Sequence, residues 1–165
     1  MLRKIALLLF LLPLTLSMKA QLKAKNDCGL INVDVYKGWI NDVKPNADPE
    51  QIKAKLPCFT LFEKEGNESK CGGGIYYEDK DLKFYIQREY LVIGEKFKGK
   101  LSVPLLGASQ DDLFGWFGNP KVADPGWEAF QTAYGTLIVY YNEQKKVNKV
   151  IMSTKTTDEI DLCNE

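Results

Sequence analysis

The chain has 165 residues, with 22 basic and 22 acidic side chains, four cysteines and no histidine. This length suits one domain or two small fused units, and an apolar content of 45% argues against disorder. The balanced charge, without a basic stripe, argues against a nucleic-acid partner, because phosphate neutralisation supplies most of that affinity.

The first 20 residues have the pattern of a secretory signal peptide. Arg3 and Lys4 precede the apolar run Ile5 to Leu16, which is too short to span a bilayer, and small residues follow it. Cleavage is predicted after Ala20, with Ser17 as the alternative, and an uncleaved N-terminal anchor is the competing interpretation. No cysteine ends the run, so a lipoprotein anchor is not indicated.

Cleavage after Ala20 would change the charge of the protein. It would remove Arg3, Lys4 and Lys19 but no acid, which leaves a net charge of −3 and Arg88 as the only arginine. We therefore expect a periplasmic or secreted protein with no stable membrane anchor after cleavage. Residues 21–165 are expected to form a single domain.

The four cysteines, Cys28, Cys58, Cys71 and Cys163, all follow the leader. An even number in an exported chain predicts two disulfides, with three possible connectivities. The pairs Cys58–Cys71 and Cys28–Cys163 are favoured, because the first closes a short polar loop and the second fastens the two ends. There is no CxxC pair and no histidine, so neither a zinc site nor an activated thiol is expected.

The first half of the chain predicts one strand, one short helix and two or three further strands. Alternating apolar residues indicate a strand near Leu30–Tyr36. A helix begins at the capping residue Asp48, with Pro49 at its first position, and ends at Pro57. Residues 58–74 are expected to be a loop, and residues 75–93 form strands in which Tyr85 faces away from the apolar side.

The second half repeats this order of elements. Ser109 and Asp112 form a capping-box pattern at the start of a helix that ends at Gly118 and Pro120. Residues 121–126 are expected to be loop, and Trp127 begins an extended segment or one helical turn. Strands are predicted at residues 136–141 and 147–153. Units of about 47–94 and 105–153 thus form a tandem repeat, and the predicted fold class is α+β, with short helices packed on one face of antiparallel meanders.

One family resemblance accompanies this repeat. The segment LLGASQDDLFGWFGNP and the strands after it resemble the repeat of the β-lactamase-inhibitor-protein-like and outer-membrane-assembly small-lipoprotein (SmpA/OmlA-like) superfamily. The matching positions are Leu106, Gly107, Ser109, Asp112, Leu113, Gly118 and Pro120. The resemblance implies binding to another protein, as an inhibitor, an immunity protein or an assembly factor of the cell envelope.

These observations favour a non-catalytic protein-binding module that needs no cofactor or metal. No GxSxG, histidine or metal-ligand constellation supports catalysis. The outward sheet face is the candidate partner-binding surface, since Tyr, Trp and Arg dominate interface hot spots. Its candidate residues are Tyr77, Tyr85, Arg88, Trp127 and Tyr140. The alternative for each aromatic is core packing, and for Arg88 it is a structural ion pair.

Two other functions remain open. The first is a small-ligand carrier with a pocket between helix and sheet, lined by Phe114, Trp116 and Phe117. The second is a carboxylate-based hydrolase, since two acids suffice for glycoside hydrolysis.

Overall fold

The computed structural model describes residues 27–64, 66 and 71–163 of an α+β protein in which β-sheet predominates. The described residues form two α-helices, one 3₁₀ turn (Glu78–Lys80) and eleven strands. The helices are α1 (Pro49–Lys55) and α2 (Gln110–Phe117). The strands are β1 (Asn32–Asp34), β2 (Trp39–Ile40), β3 (Leu61–Glu63), β4 (Gly74–Tyr77), β5 (Leu82–Tyr85), β6 (Tyr90–Gly94), β7 (Lys100–Leu101), β8 (Val122–Asp124), β9 (Trp127–Thr132), β10 (Gly135–Tyr141) and β11 (Val147–Ser153). The predicted signal peptide lies outside the described residues.

Both helices begin at the predicted capping residues. The Asp48 carboxylate accepts a hydrogen bond from the Glu50 amide at 2.8 Å, and Pro49 occupies the first helical position. At α2 the bonds are reciprocal, because Ser109 accepts from the Asp112 amide while Asp112 accepts from the Ser109 amide at 2.8 Å. These bonds satisfy amides that have no partner within the helix, which fixes where each helix starts.

Eight strands form one antiparallel sheet in the order β3-β4-β5-β6-β11-β10-β9-β8. Each half of the chain therefore runs from a helix into four consecutive strands. The last strands of the two halves, β6 and β11, pair at the centre, with Val92 opposite Ile151. The first strands of each half, β3 and β8, form the two edges.

The edge strands correct two sequence predictions. Residues 58–74 and 121–126 were expected to be loops, yet they contain β3 and β8. Each of these strands has three residues and pairs with only one neighbour, so Phe62 lies opposite Ile75 and Val122 opposite Ala129. Such short strands depend on the neighbouring strand for their structure, and their local sequence carries no alternation long enough to reveal them.

One face of the large sheet, here called the helix face, carries the main core. Ile52 and Leu56 from the α1 region and Leu113 from α2 are buried in the same cluster as the strand residues Phe84 and Met152. Three further strands, in the order β2-β1-β7, form a small sheet whose buried residues join this cluster. The core is thus continuous through both halves of the chain.

The two disulfides pair differently from the prediction. Cys28 bonds to Cys58 and Cys71 bonds to Cys163, with Cα–Cα distances of 5.2 and 5.7 Å. The predicted Cys58–Cys71 bond is wrong because β3 and β4 run antiparallel between the two residues. Cys58 precedes β3 at one end of this pair, whereas Cys71 precedes β4 at the other end. The Cys28–Cys163 pair is wrong as well, because each residue bonds to the cysteine on its own side of the sheet.

Candidate functional site

The sheet face opposite the helices, here called the tail face, carries one row of side chains across all eight strands. Each member of this central row lies opposite the next in the register of neighbouring strands. The row consists of Leu61, Tyr76, Lys83, Val92, Ile151, Ile138, Ala129 and Val122. Side chains alternate between the two faces along a strand, so the neighbours of these residues point into the main core. The result is a largely apolar band with one lysine near its middle.

Residues 154–163, here called the tail, cross this face after β11. The Thr136 hydroxyl donates to the Lys155 carbonyl at 2.8 Å, and the Lys121 ammonium lies 2.6 Å from the Asp158 carboxylate. Farther along, the Cys163 amide donates to the Tyr90 hydroxyl at 2.9 Å. The Cys71–Cys163 disulfide fastens the tail end to the first half of the chain. The tail is therefore held to the sheet along most of its length.

Two adjoining cavities lie between the tail and the sheet, and together they form the aromatic groove. Their volumes are about 250 and 300 Å³. The first is lined by Tyr85, Tyr90, Val92, Lys149, Ile151 and Cys163, the second by Val122, Trp127, Ala129, Ile138, Thr157 and Ile160, and Tyr140 and Leu162 line both. The two cavities therefore adjoin at these two shared side chains.

Lys149 is the cation of this groove. Its ammonium nitrogen lies 3.9 Å from the centroid of the Tyr140 ring, a cation–π contact. No carboxylate of the described residues lies within 4.0 Å of it. Burial, and then the charge of Lys83, lower the Lys149 pKa. Both causes disfavour the ammonium, so an anion bound beside it would stabilise its charged form.

Two of the predicted surface residues, Tyr77 and Tyr85, are fully buried or nearly so. Tyr77 lies on the helix face, where its hydroxyl donates to the Leu56 carbonyl at 2.9 Å. Strand alternation places the preceding residue, Tyr76, on the tail face instead. Tyr85 does lie on the predicted face, but it is only 2% exposed because it packs against Tyr90 and the Cys71–Cys163 region. Both assignments to an exposed surface are therefore wrong.

The other three predicted residues lie at or beside the groove. Arg88 forms an ion pair with Asp161 and donates to the Asp161 carbonyl at 3.2 Å, so it holds the tail. Trp127 and Tyr140 are both partly buried and their ring centroids lie 6.5 Å apart. The structure thus brings Trp127 and Tyr140 together on the tail face. Arg88 instead forms a structural ion pair with Asp161.

Larger cavities, of about 500 and 670 Å³, lie elsewhere. The widest, of about 670 Å³, lies beside β1 and β2 and is lined mainly by polar residues. Several of these already bond to one another: the Asn41 side chain accepts from the Asn32 amide, and Lys37 pairs with Asp34 at 3.6 Å. A ligand there would have to displace these bonds, so volume alone does not make it the better site.

The helix side of the sheet offers one buried acid, Glu128. It accepts a hydrogen bond from the Gln110 amide group at 2.9 Å and another from the Tyr141 hydroxyl at 2.6 Å. Burial, followed by the interaction with Glu128, raises the Tyr141 pKa, so the tyrosine stays neutral and donates. Phe114, one of the residues predicted to line a pocket on this side, is 60% exposed. Trp116 and Phe117 instead pack against the main core.

No family model, curated protein or solved structure matches this chain. Within residues 27–64, 66 and 71–163, neither helix has the length or the apolar character that crossing a membrane requires. The same residues contain no group of three or more His, Cys, Asp or Glu side chains placed to hold a metal ion.

Lys149, Tyr90 and Leu162 are groove residues that the sequence analysis missed. Alternation along β11 would place Lys149 on the same face as Ile151. It would not show that β6, a strand from the other half, lies beside them. Leu162 carried a weak signal, as one of two apolar residues in an otherwise polar C-terminal segment.

Proposed function

We propose that this chain is an exported, non-catalytic protein-binding module that uses the exposed part of its tail face. The observation that carries the proposal is the partly exposed pair of Trp127 and Tyr140 beside the Lys149 ammonium. Tryptophan and tyrosine are enriched at the centres of protein interfaces, where their rings bury much area at a small entropic cost.

The edges of the same face extend this surface. Leu61 and Val122, at opposite ends of the central row, are 45% and 40% exposed. Between them lie Tyr76, Lys83 and Val92, all partly exposed. The partly exposed apolar side chains of this face, together with the cations Lys83 and Lys149, favour a partner that offers apolar and acidic groups.

The topology supports the repeat that we propose for units of about 47–94 and 105–153. Each unit runs from a helix into four antiparallel strands, and the last strands of the two units pair at the centre of the sheet. This arrangement is what a duplicated helix-and-meander unit would produce. It is also compatible with the proposed likeness to the β-lactamase-inhibitor-protein-like and SmpA/OmlA-like superfamily, and hence with an inhibitor, immunity or assembly role.

Export to the bacterial periplasm or to the outside of the cell is the location that fits this proposal. The two disulfides are compatible with an exported protein, because they persist in oxidising compartments and are rare in the cytosol.

A pull-down from a bacterial envelope extract, with the mature oxidised protein as bait, tests the function. We expect one protein partner in stoichiometric amount, and we expect Trp127→Ala and Tyr140→Ala to lose it. The matched control is Phe114→Ala, which truncates an exposed aromatic ring on α2. Thermal unfolding of each variant shows that it is folded.

Two results would count against the proposal. Normal capture by both the Trp127→Ala and Tyr140→Ala variants would refute the surface assignment. If no protein is captured but a small molecule co-purifies with the wild type, the chain is a carrier instead.

A further inference from the structure

The aromatic groove has the shape of a small-molecule site beneath a closed strap. The tail passes over it, and the Cys71–Cys163 disulfide closes that strap covalently. A folded protein surface cannot reach under a strap that is fastened at both ends, whereas a flexible chain can pass beneath it. The groove shares the side chains of Trp127, Tyr140 and Lys149 with the surface proposed above for a protein partner, but a ligand beneath the strap would contact them from inside the groove.

The walls of the second cavity are mostly apolar, whereas the tyrosine hydroxyls and Lys149 make the first cavity more polar. Val92, Ile151 and the tyrosine rings surround the first cavity, and Trp127, Ala129 and Ile138 surround the second. The two cavities, of about 250 and 300 Å³, adjoin at Tyr140 and Leu162. An unbranched hydrocarbon chain is the ligand group that such a lining accepts with few polar penalties.

Lys149 also lines the first cavity, and among the described residues no carboxylate lies within 4.0 Å of its ammonium. The Lys149 ammonium is partly buried, and its contact with the Tyr140 ring does not neutralise it. The Asp81 carboxylate lies above Gly94, the residue opposite Lys149, but it accepts a hydrogen bond from the Lys96 amide at 2.8 Å and does not come within 4.0 Å of the Lys149 ammonium. A desolvated cation without a counter-ion is costly, so an anion bound there would be stabilised.

We infer that the aromatic groove binds a small amphipathic carboxylate, with its hydrocarbon chain in the two cavities and its carboxylate on the Lys149 ammonium. The ligand class follows from the position of an apolar cavity beside a cavity that contains one cation. The inference does not depend on the proposed protein partner, because a small ligand can be titrated into the purified protein with no partner present.

Calorimetric titration of the mature oxidised protein with three probes that share a ten-carbon chain tests the inference. Decanoate carries the proposed charge, decanol carries none, and decyltrimethylammonium carries the opposite charge. We expect decanoate to bind at least about tenfold more tightly than decanol, the gain expected from one charge-assisted hydrogen bond, and the cation to bind most weakly. Equal affinities for the three probes, or no heat of binding with decanoate, would overturn the inference.

Two variants separate the roles of the charge and the cavity. Lys149→Gln should weaken the binding of decanoate about tenfold and leave the binding of decanol unchanged. The control Lys55→Gln replaces an exposed lysine on α1 and should leave the affinity for both probes unchanged. Ala129→Leu places a larger side chain in the second cavity. It should weaken the binding of decanoate more than the binding of hexanoate, which has a shorter chain. Unchanged decanoate affinity in both groove variants would contradict the inference. The pull-down with the wild-type protein tests the proposed function separately.

Discussion

At the scale of single residues, the pair of Ser109 and Asp112 fixes where α2 begins and favours the ionised form of Asp112. The Asp112 carboxylate accepts from the Ser109 amide at 2.8 Å and from the Ser109 hydroxyl at 2.6 Å. Both bonds lower the Asp112 pKa, and the bond from the Ser109 hydroxyl has the larger effect. The pair is fully local in sequence, which is why the capping pattern alone predicted it.

Ser109→Ala should therefore destabilise the protein and shift the titration of Asp112. We expect a loss of about 1 kcal/mol in the free energy of unfolding, measured by urea denaturation at neutral pH. The Asp112 pKa, followed by NMR, should rise towards its ordinary value. Asp111→Asn is the control, since Asp111 lies in the same first turn but does not cap the helix.

The sign of the pH effect follows from the direction of the shift. The Asp112 pKa is lower in the folded than in the unfolded protein, so the ionised carboxylate stabilises the fold above its unfolded pKa of about 4. This contribution is lost as the pH falls through the folded pKa. An Asp112 pKa that is equal in the wild type and the Ser109→Ala variant would contradict this account.

At the scale of elements, the tail is a segment without regular secondary structure that nevertheless closes a site. Its contacts come from side chains and one disulfide rather than from a strand ladder: Thr157 donates its amide to the Gln131 side chain at 3.2 Å, and Asp161 pairs with Arg88. Exposed ion pairs contribute little, so the Cys71–Cys163 bond is the main restraint on the tail end.

The double variant Cys71→Ser/Cys163→Ser should release the tail. Hydrogen exchange should show faster exchange of the amides of residues 154–163, and Tyr85 and Tyr90 should become more accessible. The control Cys28→Ser/Cys58→Ser should leave this exchange unchanged. The two bonds join residues 92 and 30 positions apart, so loop entropy predicts a loss about 1 kcal/mol greater for the first variant. Unchanged protection of the tail amides would show that the disulfide does not hold it.

At the scale of the whole molecule, one core unites the two halves. Leu91 and Ile93 from β6 and Val150 and Met152 from β11 are fully buried in the cluster to which both helices contribute. The central β6–β11 pair crosses between the halves, so neither half can expose its last strand without disrupting the shared core.

Unfolding should accordingly occur in one cooperative transition, seen at the same denaturant concentration by tryptophan fluorescence and far-ultraviolet circular dichroism. Val150→Ala should lower the free energy of unfolding by about 2 kcal/mol and keep a single transition. Val122→Ala, the same chemical change at a 40% exposed edge position, should cost much less. Two separate transitions would mean that the halves fold independently.

Local sequence determined the elements of this protein. The capping residues Asp48 and Ser109, the strands at residues 136–141 and 147–153 and the presence of two disulfides were all predicted, because caps and alternation depend on neighbouring residues and cysteine number depends only on counting. The order of these elements also predicted the α+β fold class.

The tertiary structure alone decided the pairing of the cysteines, the edge strands β3 and β8, and the composition of the groove. Tyr85 is buried because the segment around Cys163 returns to it, and Lys149 meets its neighbours because β11 pairs with a strand more than 50 residues earlier in the chain. These outcomes depend on contacts between distant segments, whose register is set by burial of the whole core and not by the residues on either side.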